Sequence, residues 1–103
     1  MLVARWQIDA RFGHKQTVID MLRTWGQDIA PRIGWTPDKG RLLTGSIGAR
    51  EAAVEHNWIV EDLAALGRAW DALGAIDAHR AWGKELEPFV VSGSARWDVF
   101  RVI

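Results

Sequence analysis

The chain has 103 residues, 49% of them apolar and 25% charged, with thirteen basic side chains balanced by thirteen acidic ones. That length supports a single domain over residues 1–103, and the even balance removes the concentrated basic face that nucleic-acid binding needs. The absence of cysteine excludes disulfide and thiolate chemistry, and the lack of a signal-peptide pattern or a bilayer-length apolar run points to a cytoplasmic protein without membrane contact.

Leu2, Ala4, Trp6 and Ile8 alternate with Val3, Arg5, Gln7 and Asp9. Residues 2–10 are therefore predicted to form a strand with one apolar face, and Gly13 permits the turn after it. From His14 to about Ala30 the residues Val18, Leu22, Trp25 and Ile29 recur at spacings of four, three and four. This is an amphipathic helix, ended by Pro31 and Gly34. The stretch GWTPDKG, residues 34–40, is a loop in which Pro37 presets a turn and Gly40 relieves the exit. Two short strands, 41–47 and 51–60, flank Gly48 and read as a hairpin.

Glu61 and Asp62 put negative charge at the start of the next helix, where it meets the positive dipole end. Leu63, Leu66, Trp70 and Leu73 form the stripe of that helix, and Gly74 closes it. A second helical piece spans residues 76–89, with Asp77 as its cap, Trp82 and Leu86 one turn apart, and Pro88 as its end. After the SGS punctuation the chain finishes as a strand.

The order β-α-β-β-α-β predicts an α+β, ferredoxin-like domain: a four-stranded antiparallel sheet with helices on one face. Trp6 and Ile8 are expected to face the helices, joined by Val54, His56, Trp58 and Val60. Glu55, Asn57 and Ile59, with Arg5, Gln7, Asp9, Arg96 and Asp98, form a charge-mixed opposite face whose polar residues pair within the chain or across a dimer. The last strand is apolar on both sides, through Trp97 and Val99 on one and Phe100 and Val102 on the other. A homodimer through the open face of the sheet would cover that surface.

The segment GSIGAREAAVEHNWIVEDLAALGRAWDAL resembles the NIPSNAP-like branch of the dimeric α/β-barrel superfamily, with Gly48, Trp58 and the Glu61-Asp62-Leu63 junction at the matching positions. The closing stretch WGKELEPFVVSGSARWDVFRVI is similar to the family's last helix and strand, and the opening strand and helix match more loosely. The resemblance implies two sheets joined in a dimeric barrel, with a pocket between each sheet and its own helices. Among such relatives are cofactor-independent monooxygenases of polycyclic aromatics, heme-degrading enzymes and proteins without a known reaction, so fold does not give function. The heme-degrading relatives use an asparagine on the first strand, a tryptophan and a histidine. Here the first strand carries Gln7 instead, and Asn57, next to Trp58, points to the opposite face, which weakens that reading.

His14, His56 and His79 form no metal-binding spacing, and neither a nucleophile elbow nor a phosphate or dinucleotide motif occurs. No metal or cofactor is expected. His14 and His79 read as surface residues. His56 is turned toward a tryptophan-rich interior, either as a hydrogen-bonded core histidine or as the one base available to a pocket. Seven tryptophans and no tyrosine suit core and dimer packing, or an aromatic ligand pocket. Trp6, His56 and Trp58 are the ligand-site candidates, and Trp35, in a polar loop, is a cap on the core or a lid. Three functions follow: binding of a small apolar or aromatic molecule, a cofactor-independent monooxygenase with His56 as base, and an interaction module without a ligand.

Overall fold

A computed structural model describes residues 1–103. The strands are β1 (Leu2–Asp9), β2 (Gly40–Thr44), β3 (Ala53–Val60) and β4 (Arg96–Arg101), and the helices α1 (Lys15–Asp28), α2 (Leu63–Gly74) and α3 (Asp77–Leu86). The strands form one antiparallel sheet in the order β2-β3-β1-β4. This is the ferredoxin-like arrangement, with the second helical region in two pieces. No helix is long and apolar enough to cross a membrane.

Register explains which residues go inside. Trp6 lies opposite His56 on one side and Trp97 on the other, and in an antiparallel pair such partners share a face. Ala4 lies between Trp58 and Val99 in the next row, and Trp58 is in turn opposite Gly40. A Cβ on Gly40 would stand 2.5 Å from the Trp58 ring. The large indole thus occupies space that Gly40 and Ala4 leave free. Along β3 the residues Val54, His56, Trp58 and Val60 are all buried while their neighbours are half-buried. The period of two expected from the sequence sets this alternation.

Local chemistry fixes the helix ends. Asp62 caps α2 by accepting the Ala65 backbone N–H at 2.8 Å, which satisfies one of the free donors of the first turn. Asp77 does not cap α3: Ile76 holds that position without a side-chain bond, and the Asp77 carboxylate pairs with Arg80 instead. After α1 the chain continues through a 3-10 turn, Ala30–Ile33, with Pro31 inside it, and Gly34 ends that turn at φ 80°. A proline early in such a turn costs little, because its missing N–H had no partner there.

The β2–β3 hairpin has shorter strands than expected, because residues 45–52 leave the ladder. The Gly45 N–H still bonds the Ala53 carbonyl at 3.0 Å, but a Cβ at Gly45 would fall 1.6 Å from the Arg50 carbonyl oxygen. That close backbone approach folds the loop back on itself.

The open face of the sheet carries the polar set. Arg5 donates to Glu55 at 2.6 Å, Gln7 to Asp98 at 2.6 Å, and Arg50 to Asp9 at 2.7 Å. The bond from Gln7, with Arg96 nearby, holds the Asp98 carboxyl below the usual carboxylate range. The Arg5 guanidinium also lies 4.9 Å over the Phe100 ring.

Candidate functional site

Between the helices and the inner face of the sheet lies a cavity of about 630 Å³. Every layer of the fold contributes to its wall. β1 supplies Trp6, β3 supplies His56 and Trp58, and β4 supplies Trp97; α1, α2 and α3 supply Trp25, Trp70 and Trp82. Six of the seven tryptophans therefore border one space. Several of them meet in pairs: Trp25 contacts Trp58 edge-on at 5.9 Å, and Trp70 contacts Trp97 at 5.3 Å in the same manner. Edge-to-face pairs of this kind suit the ring quadrupole and add to area burial. Trp70 is 41% exposed, and with exposed Gly74, Arg80 and Glu87 it marks the side on which the cavity opens.

The sequence-derived site residues Trp6, His56 and Trp58 all border this cavity. His56 is 6% exposed, its ring lying 4.5 Å from Trp58 and 5.8 Å from Trp25. The expectation of a hydrogen-bonded core histidine is corrected: Nδ1 is buried and has no partner. The indoles around it offer faces and edges, and the approach of α1 at Gly26, where a Cβ would lie 3.2 Å from Cε1, brings no polar group. Burial without a partner disfavours the charged ring, and the His56 pKa falls to about 4. The imidazole is therefore neutral at physiological pH. A smaller groove of about 200 Å³, between α1 and β2, also borders His56 and Trp58.

Trp35 takes the first of its two expected positions. It is 5% exposed and stacks on Trp58 at 5.2 Å, behind the cavity wall. It belongs to the larger group of buried residues and is not one of the residues bordering the cavity.

His14 is exposed, beside Phe89 at 5.4 Å. His79, expected on the surface, borders the cavity and is half-buried. Its Nδ1 accepts the Trp25 indole N–H at 3.0 Å. Burial, with Arg80 adjacent, lowers its pKa. The sequence held a signal for this: His79, Trp82 and Leu86 fall three and seven residues along one helix, which puts the histidine on the apolar stripe. Trp82 belongs to the same face and donates its indole N–H to the Met21 carbonyl at 2.9 Å. α3 and α1 are thus joined by two indole hydrogen bonds running in opposite directions.

The wall's remaining charges are Arg80 and Glu87 at the rim. Arg80 is engaged by the Gly74 carbonyl and the Asp77 carboxylate. No group of three or more His, Asp or Glu side chains is placed to hold a metal ion. The arrangement can hold a flat apolar molecule among indoles and present it with two neutral imidazoles.

No protein-family model and no curated protein matches the chain. Solved structures do. A NIPSNAP family protein from Agrobacterium tumefaciens superposes with a TM-score of 0.80 at 19% identity, covering 99% of this chain and 92% of that one. An uncharacterized NIPSNAP-like domain protein from Burkholderia xenovorans gives 0.76 at 20% identity, covering 99% and 84%. A protein from Nitrosomonas europaea named after the antibiotic biosynthesis monooxygenases gives 0.68 at 6% identity, covering 100% and 99%. At these identities the likeness is one of fold: the chain has the ferredoxin-like fold of the NIPSNAP structures and of the monooxygenase-type structures beside them.

Proposed function

We propose that this protein binds a small apolar or aromatic molecule in the cavity between its helices and its sheet, and that it does so as a homodimer joined through the open face. The ring of six tryptophans around about 630 Å³ carries this reading, since ligand sites are typically apolar clefts of that size with few polar groups. Packing alone, as in an interaction module without a ligand, would be expected to fill such a space with side chains. Dimerisation is supported by Phe100 and Leu43, large apolar side chains 52% and 44% exposed on the open face of the sheet. Titration with 1-aminoanthracene, a neutral aromatic probe, should quench tryptophan fluorescence saturably at one site per chain. Absence of saturable binding overturns the binding reading, and sedimentation equilibrium showing only monomer at micromolar concentration overturns the dimer.

A second reading, a cofactor-independent monooxygenase, is favoured by one observation: a neutral His56 imidazole facing an apolar cavity. In that chemistry the base takes a proton from an activated methylene, and the carbanion reduces O2, giving a ketone and water. Against it stands the strength of the base. With a pKa of about 4, His56 is a weak base, and each unit by which the carbon acid's pKa exceeds it adds about 1.4 kcal/mol to the uphill proton transfer. Binding is therefore the primary reading. Oxygen consumption with an anthrone substrate, abolished in His56→Leu, would reverse that order.

A further inference from the structure

Trp25 on α1 and His79 on α3 meet with the indole Nε1 3.0 Å from the imidazole Nδ1. An indole N–H can only donate. The receiving Nδ1 is therefore bare, and the one proton of the neutral ring sits on Nε2. The ring plane is held as well: His79 stacks on Trp82 at 6.3 Å with 15° between planes, and Trp82 is itself bonded to the Met21 carbonyl.

Two buried side-chain polar atoms in the molecule lack a partner, His56 Nδ1 and Asn57 Oδ1. Nε2 of His79 is not one of them and takes part in no side-chain hydrogen bond, so it is accessible, on a residue that borders the cavity. Around it the wall is indole and aliphatic. Arg80, the one cation on the wall, is already engaged by Asp77 and Gly74. An anionic ligand group would leave water and find no free cation there, which is costly, and a cationic group would face the donor N–H of His79.

We infer that His79 Nε2–H is a preset hydrogen-bond donor in the cavity, that Trp25 is the positioning residue fixing its tautomer, and that the ligand is an uncharged apolar molecule bearing an acceptor, a carbonyl oxygen or a ring nitrogen. This rests on the reading of the cavity as a ligand site and adds the polar group that orients the ligand there. The same tautomer removes Nε2 as a metal ligand, since metal binding requires a bare nitrogen.

Two compounds of nearly equal shape test it: 2-acetylnaphthalene, with a carbonyl, and 2-isopropenylnaphthalene, with a methylene in its place. Titrated into the full chain, the ketone should bind about tenfold tighter, the worth of one well-placed hydrogen bond in an apolar site. The preference should persist in His79→Gln, whose side-chain amide places an N–H near the Nε2 position, and vanish in His79→Phe. Nitrogen-15 NMR of the ring should report Nε2 protonated and Nδ1 bare. In Trp25→Phe the tautomers should mix and the ketone preference should shrink. Equal affinities in the wild type, a preference that survives His79→Phe, or a proton on Nδ1 overturns this inference and leaves the cavity a ligand site. If neither compound binds, the cavity reading falls, while the nitrogen spectrum still decides the tautomer.

Discussion

The two faces of this sheet differ in how they treat polar groups. On the open side Arg5, Gln7 and Arg50 each find a carboxylate within 2.7 Å, and Asn57 Oδ1 is the single buried atom there left without a partner. On the helix side one row holds His56, Trp6 and Trp97, and His56, the one buried polar side chain, has an unpaired Nδ1. Half-exposed ion pairs contribute at most about 1 kcal/mol each. An unpaired buried nitrogen costs about 1–3 kcal/mol. The open face thus pairs most of its polar side chains within the chain and leaves Asn57 Oδ1 over, while on the helix side His56 keeps a buried nitrogen with no partner. Such a cost persists where something other than stability maintains it.

The largest expected effect breaks the cavity face. Trp58 is 2% exposed, stacked on Trp35 and seated over Gly40. Trp58→Ala should lose about 3–5 kcal/mol, the usual range for removing a buried large aromatic, measured by urea unfolding. A loss below about 1 kcal/mol would mean that the indoles collapse into the cavity and that its walls are not fixed.

Next in size is a pH effect confined to the same face. The folded pKa of His56, about 4, lies below its ordinary 6.5. Between those values the unfolded chain binds a proton that the folded chain does not, so stability rises with pH through this window. It is complete above about pH 6.5 and declines as pH falls toward 4; from pH 7 to pH 5 the loss should be about 2 kcal/mol. His79, also lowered, acts in the same direction. His56→Leu should flatten the profile, and a wild-type curve already flat from pH 7 to 5 would falsify the burial account.

This difference between faces was largely legible in the sequence, because a strand's period of two admits only two faces. The fold order, the sharing of one face by Trp6, His56 and Trp58, and the polar set opposite all follow from that alternation. Two features did not. The missing partner of His56 depends on what α1 brings near it, and the near neighbour there is Gly26, a contact between positions thirty residues apart. His79 reads as a surface residue simply because it lies on a helix with no metal-binding partner at useful spacing. Its place on the stripe with Trp82 and Leu86 was readable, but its bond to Trp25 required knowing how α3 packs on α1. The extent of the hairpin loop was likewise a matter of one backbone contact, at Gly45.

A third prediction turns to the open face. Phe100 is 52% exposed and lies against Arg5. Phe100→Asp should raise the dimer dissociation constant at least tenfold, equivalent to about 1.4 kcal/mol, with little change in monomer unfolding, since a half-exposed side chain loses little on replacement. Sedimentation equilibrium of both chains decides it, and an unchanged dimer would move the interface off this strand.

The smallest effect sharpens the contrast from the other end. Arg50 sits on the β2–β3 loop and pairs with Asp9 at the margin of the open face, its side chain 74% exposed. A pair in that position gains little from Coulomb attraction in water and is screened by salt over about 8–10 Å. Arg50→Ala should therefore cost less than about 1 kcal/mol at low salt and nothing measurable in 1 M NaCl. Should the loss be several times larger and insensitive to salt, the pair would be desolvated in solution. Only a second molecule lying over that corner of the sheet could do this, so the same measurement reports how far a partner reaches across the open face.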